Sequence, residues 1–227
     1  PETRLLTLVG PGGVGKTRLA LEAINQLLGT QPHGIYYVPL ATYRNPTTIH
    51  TPIAEVLNLS FNNPGDQIVQ LIDHIKHRRL LLLLDNFEHL LPAAPFLVNL
   101  LESAPGLRLL LTSRERVNLH LETIFEVRGL TYPQKSEDPD FDEYPAVKLF
   151  IQNARRVSPR FTPQPDDKDP IIHICSEVEG LPLGIELASA WVRAFSCQEI
   201  AEAIQKDLNF LHTSSSDVPE RHRSLRA

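Results

Sequence analysis

Gly10-Pro11-Gly12-Gly13-Val14-Gly15-Lys16-Thr17 decides how this chain is read. It has the form G-x-x-x-x-G-K-[S/T], whose fixed positions coincide by chance in about 1% of chains of this length at average residue frequencies. The flanks agree. Leu5-Leu6-Thr7-Leu8-Val9 is a short apolar run that favours a buried strand. Residues 16–28 carry Leu19, Ala20, Ala23, Ile24, Leu27 and Leu28 at helical spacing, and Gly29 follows where a C-cap belongs. Between strand and helix, the glycines permit positive φ and let the backbone wrap a phosphate closely. Successive N–H groups at a helix N-terminus form an anion nest, favoured further by the helix dipole. Lys16 would reach the β- and γ-phosphates, and the Thr17 hydroxyl suits Mg²⁺.

Working outward, Ile35-Tyr36-Tyr37-Val38 reads as a second strand, and residues 47–57 and 66–76 read as helices entered after Pro46 and Pro64. Five leucines, Leu80 to Leu84, then reach Asp85. Such a run is short for a helix and fits a strand buried on both faces. Residues 92–103 predict a helix, 107–112 a strand and 123–127 a fifth strand. The alternation implies right-handed βαβ units, a parallel sheet and helices on both of its faces. Asp85 closes its strand at the sheet edge where ligands sit in open α/β folds, so it is the candidate Mg²⁺ carboxylate. Residues 131–144 are polar, acidic and proline-bearing, a linker. Only helical patterns follow, over 145–156, 169–179, 181–195 and 198–208, the last with Ser196 as its N-cap. The organisation expected is an α/β domain over 1–130, the linker, a small helical domain over 145–211 and a loose tail over 212–227.

Composition narrows the function classes. The chain has 227 residues, 42% hydrophobic and 22% charged, which is ordinary for a globular protein. Its net charge of −5 argues against direct nucleic-acid binding, which needs a basic face. No apolar run is long enough to span a membrane, and no signal segment opens the chain. Cys175 and Cys197 are no disulfide framework and read as buried thiols of a cytoplasmic protein. His74 and His77, beside Asp73, lack a further ligand nearby and read as a solvated helix face. There is no Met, and the chain opens Pro1-Glu2-Thr3, as a piece of a longer protein would.

Four stretches together resemble the STAND class of P-loop ATPases: the glycine loop; Leu80 to Leu91, with Asp85-Asn86-Phe87-Glu88-His89 at its centre; Leu109-Leu110-Leu111-Thr112-Ser113-Arg114-Glu115; and Gly180-Leu181-Pro182-Leu183. The resemblance covers nearly the whole chain. It implies a P-loop NTPase three-layer α/β fold with a parallel sheet ordered 5-1-4-3-2, followed by a helical lid over the nucleotide. It implies that Arg114 approaches the γ-phosphate and that Pro182 packs by the adenine or ribose. The nucleotide contacts expected are Gly10, Pro11, Gly12, Gly13, Val14, Gly15, Lys16, Thr17 and Arg18, with Pro182 and Leu183. Thr17 and Asp85 would hold the metal, and Lys16, Asp85, Glu88 and Arg114 would serve catalysis.

The activity implied is an adenine-nucleotide switch, ADP-bound when off and ATP-bound when on, with slow Mg²⁺-dependent hydrolysis. Its partners would be ATP or ADP, the other domains of the parent chain and, when ATP-bound, further copies of it. Adenine is favoured because the guanine-reading Asn-Lys-x-Asp does not occur. One departure matters. Many relatives place a second acid after the magnesium Asp, whereas here stands Asn86, which orients a water but accepts no proton. Glu88 is the nearest acid. The chain also reaches Arg221-His222-Arg223-Ser224-Leu225-Arg226 about where a winged-helix domain would begin. Two alternatives stay open: an ADP-locked scaffold without turnover, and a P-loop enzyme such as a kinase or DNA-dependent ATPase.

Overall fold

The structure is a computed structural model that describes residues 3–207 and Leu211. The expected tail over 212–227 lies outside the described residues. Two compact units emerge: one holds the chain through Gly10 and Lys16–Val127, the other Pro11–Gly15 and the chain from Arg128.

The first unit is built on five parallel strands, β1 (Leu5–Val9), β2 (Ile35–Pro39), β3 (Leu80–Asp85), β4 (Leu107–Ser113) and β5 (Glu122–Glu126), in the order β2-β3-β4-β1-β5. Read from the other edge this is 5-1-4-3-2, the order expected. Every residue of β3 is buried, as its leucine run required. Helices α1 (Lys16–Gln26), α2 (His50–Val56), α3 (Gln67–Ile75) and α4 (Ala94–Ser103) join the strands. They leave one continuous core, in which Leu71, Ile75, Leu82, Leu84, Phe87 and Leu97 are fully buried.

Local chemistry sets the ends of these elements. Gly29, just past α1, has φ +82. The helix expected over 47–57 splits: Asn45 caps a 3₁₀ turn at Pro46–Thr48, and α2 begins only at His50. Before α4 the chain runs through an irregular 3₁₀ stretch, Phe87–Ala93, containing Pro92. The Arg4 guanidinium donates to the carbonyls of Leu101 and Ala104, both at 2.7 Å, and of Leu107 at 3.2 Å. It thereby satisfies oxygens that the C-terminal end of α4 leaves without helical partners.

The second unit contains α5 (Pro145–Val157), α6 (Lys168–Glu177), α7 (Pro182–Ser189) and α8 (Cys197–Lys206) around Phe141, Phe150, Ile171, Ile174, Ile185 and Ile200. Ser196 forms a reciprocal capping box with Glu199 at the start of α8. Pro182 occupies the first turn of α7, where its missing N–H costs nothing. Gly180 has φ +65, and a Cβ there would lie 2.1 Å from the Leu130 carbonyl oxygen, so no other residue fits.

Candidate functional site

Strand order brings the ends of β1, β3 and β4 side by side, and with them three of the four motifs. Asp85 is the hub. Its side chain is 2% exposed and accepts three hydroxyl donors. Thr17 and Thr112 each donate to Oδ1 at 2.6 Å, and Tyr37 donates to Oδ2 at 3.1 Å. The Thr112 oxygen in turn accepts the Asn86 N–H at 2.8 Å. A buried carboxylate without a partner would be costly, and these donors are what allow it to sit there. Thr17 and Asp85 therefore place two oxygen ligands side by side, a donor set that fits Mg²⁺.

Lys16 leads off α1, and its Nζ donates to the Gly10 carbonyl at 2.7 Å. Burial holds its pKa below the usual lysine value. Arg114 pushes it the same way, while Glu88 and Asp85 oppose them. An anion there would favour the charged ammonium and reverse the shift. Arg114 follows β4 and pairs with Glu88, Nε to Oε1 at 3.3 Å. Glu88 is brought round to Arg114 by the turn after Asp85. The other carboxylate oxygen of Glu88 is buried without a hydrogen-bond partner.

That turn depends on Asn86, which adopts the left-handed conformation at φ 68 and ψ 53. Asn is among the few non-glycine residues that enter this region readily, which gives position 86 a backbone reason to be Asn. Its Nδ2 lies 3.2 Å from His89 Nδ1. His89 Nε2 lies 2.6 Å from the Tyr43 carbonyl oxygen and 3.0 Å from that of Leu40.

In the second unit, Gly13 and Gly15 have φ +76 and +95, as a backbone curled round an anion requires. Val14 between them is buried. The Leu183 N–H donates to the Gly13 carbonyl at 3.2 Å. A Cβ on Gly13 would come 2.7 Å from Leu183 Cβ. Pro182 and Leu183 are thus next to this part of the glycine loop. Arg18, on the first turn of α1, is exposed.

Sequence reading missed three residues: Tyr37, Thr112 as a partner of Asp85, and His89. Thr112 carried a signal, since a hydroxyl inside a buried apolar strand needs a bonding partner. His74 departs from the solvated face expected of it: its Nε2 is buried without a partner, and burial lowers its pKa. No group of three or more His, Cys, Asp or Glu able to hold a metal occurs among the described residues, and no helix among them is long and apolar enough to cross a membrane.

The AAA domain family matches residues 2–121, more than half of the chain. A protein of Mycobacterium tuberculosis (strain ATCC 25618 / H37Rv), provisionally named an HTH-type transcriptional regulator, is 34% identical over 228 residues, covering 100% of this chain and 24% of the relative. An uncharacterized protein of the same strain is 34% identical over 225 residues, covering 99% of this chain and 55% of its own length. The chain therefore spans about a quarter of the first relative and about half of the second. Among solved structures, Cdc6p from Pyrobaculum aerophilum superposes with a TM-score of 0.56 at 18% identity, over 89% of this chain and 56% of that one. Drosophila ORC bound to DNA superposes with a TM-score of 0.58 at 15% identity, over 96% and 65%. These two likenesses are of fold. With the family's sequence pattern running from before the glycine loop to beyond β4, the chain belongs to the AAA domain family of P-loop NTPases.

Proposed function

We propose that the chain is the adenine-nucleotide switch of a STAND-type signal-transduction ATPase, off with ADP and on with ATP. One observation carries the reading: Lys16, Thr17, Asp85, Glu88 and Arg114 converge at one end of the sheet, with an ion pair between the last two. Lys16 and the glycine-loop N–H groups take the phosphates, and Thr17 and Asp85 hold Mg²⁺, which neutralises phosphate charge when bound. The γ-phosphate biases the two states only through contacts made in one of them. Arg114 offers such a contact, because the Glu88 carboxylate that now pairs with it competes directly with a third phosphate. Glu88 released from Arg114 is the candidate base, and holding it back keeps hydrolysis slow. The 34% identical relative named as a transcriptional regulator fits a signalling role, and an Aeropyrum pernix ORC2 structure of the same fold (TM-score 0.52) was solved as ADPNP–ADP complexes.

The test is thermal stabilisation of the chain by Mg²⁺–ADP against Mg²⁺–GDP. ADP should stabilise and GDP should not, and equal shifts would sink the adenine assignment. Lys16→Ala should abolish the ADP shift, and an unchanged affinity in that variant would refute the phosphate-loop role. Asn86 favours a second reading, an ADP-locked scaffold. Single-turnover hydrolysis that depends on Glu88 separates the switch from the lock.

A further inference from the structure

His89 is the one residue of the Asp85-Asn86-Phe87-Glu88-His89 stretch that ends in a fully determined hydrogen-bond arrangement without a role in the site so far described. Backbone carbonyls only accept, so the Nε2 facing the Tyr43 and Leu40 oxygens at 2.6 and 3.0 Å carries the proton. In the neutral ring, Nδ1 is then an acceptor, and it faces the Asn86 Nδ2 at 3.2 Å, which donates to it. One N–H of the Asn86 amide is therefore engaged, which fixes which end of the amide faces the ring. Its backbone N–H is also fixed, by Thr112 Oγ1 at 2.8 Å. The other end of the amide is its carboxamide oxygen, an acceptor only.

We infer that His89 is a positioning residue. By fixing the Asn86 amide, it presents the Asn86 carbonyl oxygen as a preset acceptor for the attacking water. The inference rests on the hydrolytic switch proposed above. A water that attacks a phosphate needs its O–H groups aimed away from phosphorus, and a rigid acceptor does this without taking the proton. An unrestrained amide presents either its NH₂ or its oxygen, and only one of these orients the water productively. The left-handed turn at Asn86 and the two carbonyls from residues 40 and 43 make the restraint double. The loop after β2 holds the ring, and the ring holds the amide.

Two substitutions separate this role from simple loop anchoring. His89→Gln keeps a donor where Nε2 stands, for the Tyr43 and Leu40 carbonyls, but removes the Nδ1 acceptor. His89→Asn keeps an acceptor where Nδ1 stands but drops the donor. The assay is single-turnover ATP hydrolysis by the 227-residue chain, with Mg²⁺–ADP affinity measured in parallel. The expected result is that His89→Gln slows hydrolysis about 10–100-fold, the usual effect of losing a supporting partner, while ADP affinity stays unchanged. His89→Asn should retain most of the rate and lose thermal stability instead. Asn86→Ala combined with His89→Gln should be no slower than Asn86→Ala alone.

A full rate in His89→Gln, or additive losses in the double variant, overturns the inference. A nitrogen NMR spectrum of the nucleotide-free chain gives a check independent of activity: His89 Nε2 must be protonated and Nδ1 bare, and the opposite tautomer overturns it too. If the wild type binds Mg²⁺–ADP yet hydrolyses nothing in a single turnover, the positioning role is overturned while nucleotide binding at the phosphate loop stands.

Discussion

Two buried threonines on adjacent strands should respond in opposite directions to the same substitution. Thr112, on β4, is 1% exposed. Its hydroxyl donates to Asp85 Oδ1 at 2.6 Å and accepts the Asn86 N–H at 2.8 Å. Thr7, on β1, is fully buried, and its Oγ1 has no hydrogen-bond partner. Valine matches threonine in shape, so Thr→Val removes a hydroxyl and little else. At position 112 the loss includes a hydrogen bond to an ionised group, worth about 1.5–3 kcal/mol, and a stranded backbone N–H, worth about 1–3 kcal/mol. Partial relaxation brings the expected cost to about 3 kcal/mol. At position 7 the hydroxyl is desolvated without return, so its removal should be neutral or stabilise by up to about 1 kcal/mol.

Chemical denaturation of the two variants and the parent, followed by a probe in the sheet, reads both effects. In thermal terms, at about 2–4 °C per kcal/mol for a chain of this size, Thr112→Val should melt on the order of 10 °C lower. Thr112→Ser serves as the control. It keeps both bonds and loses only a methyl group, at about 1 kcal/mol. If Thr112→Val costs less than about 1 kcal/mol, or if Thr7→Val costs as much as it does, the hydroxyl network around Asp85 is not what holds that carboxylate in place.

The remaining predictions concern titration. Because burial lowers the Lys16 pKa in the free chain and bound phosphate raises it, more protons are held in the complex than in the free protein between those two values. Affinity for Mg²⁺–ADP should therefore fall as pH rises through the free-chain pKa of Lys16, and calorimetry in buffers of different ionisation heat should detect proton uptake; a flat profile up to pH 10 would refute it. Burial pushes the Cys175 and Cys197 thiols up to about 12, with Asp167 adding to the effect at Cys197. Neither should react with a thiol reagent at pH 8 until the chain is unfolded, and rapid labelling of either in the folded chain would contradict the burial.

How much of this was legible in the sequence follows from how local each feature is. The glycine loop, β1 and α1 are contiguous, and their chemistry is written in consecutive residues. β3 was legible because five leucines in a row have no comfortable place except a strand covered on both faces. The partners of Asp85 are another matter. Thr112 lies one step beyond the Leu84–Leu111 pair of the β3–β4 ladder, and Tyr37 lies two residues before Pro39, which faces Asp85 across the β2–β3 ladder. Both contacts depend on register between strands far apart in sequence, which no periodicity within one strand encodes. Helix boundaries near residues 47 and 92 shifted for a local reason: Asn45, Pro46 and Pro92 favoured 3₁₀ turns over continuous helix.

Asn86 shows what register adds to function. From sequence alone it reads as a loss, an acid replaced by an amide. In the fold the same residue makes a left-handed turn, takes Thr112 through its backbone and His89 through its side chain, and by turning delivers Glu88 to Arg114. An aspartate there would put a second negative charge beside buried Asp85. The Asn86–His89 pair is a chemically matched unit. The carboxylate of this turn stands two residues later, where an arginine restrains it.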